Sequence, residues 1–124
     1  MIARIWRGVT AINDAESYVD YLRRTGLADY HRTPGNRGAW VFWRNMDGGA
    51  EFLTVSLWES EAAIGRFAGD DINRAVFYPE DDRYLIERDE TVLHYQVASP
   101  PSKSDLPAQP AAARPRRDTA RRRR

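Results

Sequence analysis

Cysteine is absent from this sequence, lysine occurs once and histidine twice. Without cysteine there are no disulfides and no thiolate chemistry, and nothing argues for secretion. No apolar run approaches membrane-spanning length. The opening "MIARIWRG" is too short and too polar for a signal peptide, so a cytoplasmic location is expected. A glycine-rich phosphate loop, a nucleophile–base pair and two histidines at ligand spacing are all missing; "GNRG" and "DGG" are turn chemistry.

Charge divides the 124 residues. Residues 1–99 hold every Trp, Tyr and Phe, and carry 11 arginines against 16 acids, a net of −5. Residues 100–124 carry 8 basic and 2 acidic side chains, a net of +6. The division expected is a folded domain at 1–98 and a disordered Pro/Ala/Arg-rich tail at 99–124. The tail has one large apolar residue, Leu106, and too little surface to bury against its ordering entropy. An arginine run of this kind can meet nucleic acid or an anionic membrane. With one lysine against 18 arginines throughout, a solvated tail is the simpler reading.

The domain reads strand, helix, strand, strand, helix, an extra segment, strand. Ile2–Val9 and Thr91–Ala98 are the first and last strands; "AWVFWRNM" and "EFLTVSLWE" are joined by "DGG" as a hairpin. Asn13 with Glu16 is a capping box for a helix presenting Ala15, Tyr18, Val19 and Leu22, and Gly26 suits its stop. Ser60 caps a second helix ended by Gly69. Ile72, Ala75 and Val76 have helical spacing. The order is ferredoxin-like βαββαβ, an α+β fold with helices on one face of an antiparallel sheet.

Alternation sorts the two faces. Ala3, Ile5, Leu53, Val55, Leu57, Leu93, Tyr95 and Val97 are expected to meet the helices. Arg4, Trp6, Phe52, Thr54, Ser56, Trp58, Val92, His94 and Gln96 are expected on the open face. A two- or four-residue hairpin loop adds Val41 and Trp43 to it; a three-residue loop adds Trp40 and Phe42. An apolar face of that size rarely meets water. A second copy, sheet against sheet, is the simplest cover, which predicts a homodimer enclosing a cavity.

The stretches "IARIW", "LWESEAAIGRFAGDD" and "YPED" resemble the antibiotic biosynthesis monooxygenase domain family, over residues 1–98. The resemblance implies a dimeric α+β barrel. It further implies a cofactor-independent oxygenase that takes a small phenolic or polyketide-like aromatic and O2, with no flavin, heme or metal. Two alternatives stand beside it: a non-catalytic dimeric barrel that binds a small hydrophobic ligand, and a heme-binding or heme-degrading protein. The heme-degrading branch uses an axial His with a Trp and an Asn; alignment through "LWES" places Phe77, Phe67 and Arg7 at or near those positions, and all three depart. A neutral imidazole ligand has no substitute in phenylalanine. Tyr78, next in the chain, is the remaining candidate for an iron ligand.

Site expectations follow. His94, near its unperturbed pKa, suits a general base, with a packing role as the alternative. A covered Arg4 needs an anionic partner, either an acid across the dimer or a bound phenolate. Tyr78 is a candidate donor to a substrate oxygen. Trp6, Thr54, Ser56, Trp58 and Phe77 are the expected substrate contacts. His31 lies in a loop before "TPGNRG". Glu80, Asp81 and Asp82 read as a solvated rim rather than a metal site, because three adjacent carboxylates converge only on a dedicated loop.

Overall fold

Strand β1 (Ile2–Thr10) is the centre of the sheet in the computed structural model, which describes residues 1–99. The basic tail expected from the sequence lies, from residue 100 onward, outside the described residues. After β1 come α1 (Ala15–Arg24), α2 (Gly26–Arg32), β2 (Asn36–Met46), β3 (Gly49–Trp58), α3 (Glu61–Ala68), a short α4 (Asp81–Tyr84), β4 (Leu85–Arg88) and β5 (Leu93–Gln96). The sheet order is β2-β3-β1-β4, with β5 also on β1, and every pairing is antiparallel. This is the ferredoxin-like α+β arrangement, its last strand in two pieces: β4 pairs with Gly8–Thr10 and β5 with Ile2–Ile5. No helix among the described residues is long and apolar enough to cross a membrane.

Local chemistry accounts for most boundaries. Ser60 accepts from the Ala63 N–H at 3.1 Å and caps α3, a contribution of about 1 kcal/mol; Gly69, at φ +87°, closes it. The hairpin turns on Asp47 and Gly48 between paired Met46 and Gly49, a two-residue loop with Gly48 at φ +90°.

The first helix departs from expectation at both ends. A 3-10 turn (Ile12–Asp14) precedes α1, and no side chain caps it, so the Asn13–Glu16 box does not form. Gly26 does not stop the helical path but opens α2. The Thr25 N–H is shared between the Tyr21 and Leu22 carbonyls, its hydroxyl also bonds Tyr21, and Asp29 N–H then bonds Thr25. The kink turns Tyr30 inward, edge-on to Trp58 with ring centroids 5.9 Å apart. Helical spacing at 72–76 also fails. That stretch is a turn at Ile72 and Asn73 followed by irregular chain laid against the β4–β5 junction: Ala75 N–H bonds Glu90 at 2.9 Å, and Val92 N–H bonds Asn73 at 2.9 Å.

The largest correction concerns the faces. Ile2, Arg4, Trp6, Phe52, Thr54, Ser56 and Trp58 are buried beneath the helices, while Ala3, Ile5, Leu53, Val55 and Leu57 lie on the uncovered side with the exposed Trp40, Phe42, Leu93 and Tyr95. The sorting into two sets holds and their assignment is reversed. Val41 and Trp43 follow the two-residue loop onto the Phe52 face, with Trp43 stacked on Phe52 at 6.0 Å. The helix-facing set is the one whose rings find partners on the helices: Tyr18 of α1 meets Phe52 edge-on, and Tyr30 of α2 meets Trp58 edge-on.

The core has two parts. Trp6, Tyr18, Tyr21, Leu22 and Phe52 pack under α1; Ile2, Tyr30, Trp58, Ala63 and Ile64 pack under α2 and α3. Each large side chain removed from water contributes about 1.5–3 kcal/mol. Gly8 is required by this packing, since a Cβ there would overlap the Trp6 ring.

Candidate active site

A cavity lies between the helix-facing side of the sheet and the helices. Arg4 and Trp6 of β1 and Thr54 of β3 form its floor. Tyr18 of α1, Tyr30 of α2 and Phe67 of α3 face them, and Val76, Phe77, Tyr78 and Asp81 close the side. The cavity lies within one chain, beneath its own helices, and not between two sheets as the expected open face required. Its water-accessible space is about 30 Å³, room for one or two waters.

Arg4 is 3 % exposed. Register places it opposite Ser56 and His94. Its Nη1 donates to the Ile72 carbonyl and lies 3.2 Å from His94 Nε2, and its Nη2 donates to the Arg74 carbonyl at 2.9 Å. No carboxylate among the described residues pairs with it, unlike Arg7, which binds Glu51 and Glu87 on the other face. Burial lowers the Arg4 pKa, yet a guanidinium stays charged. A buried positive charge held only by neutral groups is a costly arrangement that an anion would relieve.

His94 is beside Arg4 but not in the cavity wall; it lines an adjoining surface cleft with Ile72 and Asn73. Burial first, then the Arg4 charge, lowers its pKa. Facing a guanidinium, Nε2 is the accepting nitrogen of a neutral ring. Its lone pair is therefore occupied by the guanidinium.

The carboxylate in the cavity wall is Asp81. It is 4 % exposed, against the expectation that Glu80, Asp81 and Asp82 all face water; the two neighbours are exposed. One oxygen accepts from the Tyr18 hydroxyl at 2.8 Å and the other from the Tyr78 N–H at 2.7 Å. Burial raises the carboxyl pKa, outweighing these bonds. Tyr78 lines the cavity as expected, but its hydroxyl donates to Asp29, and burial followed by that bond raises the phenol pKa.

Of the other expected contacts, Trp6, Thr54 and Phe77 reach the cavity, whereas Ser56 and Trp58 do not. Ser56 accepts from Trp58 Nε1 at 2.8 Å, and Trp58 is spent in the core against Tyr30 and Phe67. Trp6 is fixed by a bond from Nε1 to the Asp89 carbonyl at 2.9 Å and meets Phe77 edge-on. Arg88 covers the far side of Phe77, 4.2 Å from the ring centroid. Asp81, Tyr18 and Tyr30 are not among the expected site residues. Tyrosines on the buried face of a helix are the available signal, since a buried phenol needs a polar partner.

No family model and no curated protein matches the sequence. Solved structures do. A candidate antibiotic biosynthesis monooxygenase from Bacillus cereus aligns with a TM-score of 0.59 at 20% identity, over 82% of this chain and 95% of its own. MhuD, the heme-degrader from Mycobacterium tuberculosis, aligns with two hemes in its active site at TM-score 0.52 and 15% identity, over 82% of this chain and 100% of its own. An arginine-to-serine mutant of MhuD, holding two manganese protoporphyrins per active site, gives 0.53 and 17%, over 82% and 99%.

Heme does not fit the donors present here. The cavity wall contains no His, Cys or Met; Phe77 and Phe67 are part of it, and Arg7 points to the opposite face of the sheet. Tyr78, the remaining candidate, is held as a phenol by Asp29, whereas an iron ligand is a phenolate. The resemblance read from the sequence and the likeness of the structures meet on one point: the chain has the ferredoxin-like α+β fold of antibiotic-biosynthesis-monooxygenase-type proteins.

Proposed function

We propose that the chain is a cofactor-independent monooxygenase acting on a small aromatic phenol. The observation that carries this reading is Arg4, a buried guanidinium without a carboxylate, set in a cavity walled by Trp6, Phe67 and Phe77. Aromatic walls hold a flat ring, and the cation favours the ring's anion over its neutral form.

The reaction oxidises a ring methylene, as in an anthrone, to a carbonyl. Asp81 takes a proton from the methylene carbon, and the electron pair delocalises through the ring onto the conjugated carbonyl oxygen, which becomes a phenolate whose charge Arg4 stabilises. The carbanion passes electrons to O2 and forms a C–O bond, and the peroxide anion takes back the proton held by Asp81, giving a hydroperoxide. Loss of the second C–H proton and cleavage of the O–O bond release water and leave the ketone. One O2 is consumed, one oxygen atom enters product and one leaves in water. Tyr18 and the Tyr78 N–H hold Asp81 in place.

The same reading assigns a homodimer joined through the uncovered face, with the Arg7–Glu51–Arg44 ion pairs beside the apolar patch. Oxygen uptake with anthrone-type phenols in metal-free buffer tests the activity. Stoichiometric uptake with ketone formation is expected, and no uptake with any phenol overturns it. The small volume of the cavity favours a second reading, a dimeric domain that binds a small hydrophobic ligand without turnover. Ligand-induced change in Trp fluorescence without oxygen uptake would select it.

A further inference from the structure

A guanidinium carries five N–H donors. In Arg4 two on Nη1 meet the Ile72 carbonyl and His94 Nε2, and one on Nη2 meets the Arg74 carbonyl. The second Nη2 proton and Nε–H have no partner among the described residues. Nε and Nη2 are neighbours along one side of the guanidinium, the side, or fork, by which a planar anion with two oxygens is held. Arg4 is buried, faces the cavity, and sits 5.8 Å from the Phe67 ring centroid, which also lines it.

We propose that this edge binds a carboxylate, so that the ligand of the cavity is an aromatic acid. The inference rests on reading the cavity as a ligand site and deepens it by naming the substrate class; it does not depend on oxygen chemistry. Three observations agree. The charge lacks a counter-ion among the described residues. The two open donors match a carboxylate in number, where a lone phenolate oxygen would satisfy them less well. The carbonyls of Ile72 and Arg74 and the His94 ring hold the fork from behind, so little freedom remains to be lost on binding. A carboxylate beside the phenolic hydroxyl also serves the oxygenase reading, since it brings the phenolic oxygen next to the same guanidinium. Entry of a ring requires the aromatic wall to turn, because the space present is about 30 Å³.

The test compares benzoate with benzamide, equal in shape and different in charge, on the full chain under nitrogen, followed by Trp fluorescence and calorimetry. Benzoate is expected to bind about 10- to 100-fold more tightly, the worth of charge-assisted bonds over neutral ones. Arg4→Lys keeps the charge and removes the fork, and is expected to abolish most of that preference. Equal affinities, or binding of neither at millimolar concentration, overturn the proposal, as does Arg4→Lys binding benzoate as well as the parent does. The wild-type comparison stands even where the variant fails to fold. Preference for benzoate without oxygen uptake from any phenol would leave the acid site intact and remove the oxygenase. Uptake from phenols without preference for benzoate would do the reverse.

Discussion

The Nη1 of Arg4 and the Nε2 of His94 lie 3.2 Å apart, a cation facing an imidazole whose pKa burial, and then that cation, hold below its ordinary value. This contact makes His94 a positioning residue for the guanidinium. His94→Ala is expected to raise KM for an anionic substrate by about 3- to 30-fold, from the loss of about 1 kcal/mol or somewhat more of hydrogen bonding, while kcat changes less. His94→Gln, which can accept from the same Nη1, should restore part of the affinity. A fall in kcat at unchanged KM would contradict the role.

The same contact has a pH signature. The folded pKa of His94 lies below its ordinary value, so the unfolded chain binds the proton more readily. Its contribution is complete above about pH 6.5, and is lost as pH falls from there through the lowered folded value. Thermal unfolding between pH 7 and pH 5 should show a steeper fall for the parent than for His94→Ala. Parallel curves would show that His94 is not coupled to the fold in this way.

Asp81→Asn is expected to lower turnover by about 10²- to 10⁴-fold, the usual worth of a positioned base. Asn offers one acceptor to two donors, Tyr18 and the Tyr78 N–H, so some stability is lost as well; circular dichroism separates that from the effect on turnover. Near-normal oxygen uptake in a folded variant would remove Asp81 from the mechanism.

Much of this is legible in the sequence, and the failures have specific causes. "DGG" specifies the hairpin and Ser60 the cap, because both are local backbone chemistry. Alternation groups Arg4, Trp6, Thr54 and His94 on one face, because strand period is fixed. It does not say which face the helices cover, since Ile5, Val55 and Leu57 are as apolar as Trp6, Phe52 and Trp58. Nor does it single out Asp81 in "PEDDRY". The partner that draws it inward, Tyr18, lies 63 residues away. Gly26 misleads because a helix-stopping residue can equally begin a helix after a kink.

Gly8→Ala should disturb the site without touching it. The new methyl group would overlap the Trp6 ring and stand 3.0 Å from Leu85. The indole must move, and its bond to the Asp89 carbonyl weakens. We expect a loss of about 1–3 kcal/mol, as for overpacking generally, with a shifted Trp emission maximum. An unshifted spectrum and an unchanged midpoint would contradict this packing.

The uncovered face predicts a dimer. Trp40, Phe42, Leu93 and Tyr95 are each 46 % exposed or more on one side of the sheet, a patch that water does not tolerate in isolation. Light scattering should give twice the chain mass at micromolar concentration, and Phe42→Asp combined with Leu93→Asp should give the single mass. A parent protein that is monomeric under these conditions would count against the face.

The interruption between β4 and β5 has a mechanical side. Main-chain bonds from Ala75 to Glu90 and from Val92 to Asn73, with the Arg74–Thr91 bridge, stitch one wall of the cavity to the sheet edge. Swinging that wall outward breaks several such bonds, each about 0.5–1.5 kcal/mol net, and strips Arg4 of the Ile72 and Arg74 carbonyls at the same stroke. Turning a ring such as Phe77 breaks none of them. The stitched main chain is thus a doorframe, and the aromatic rings hung on it, such as Phe77, are the doors.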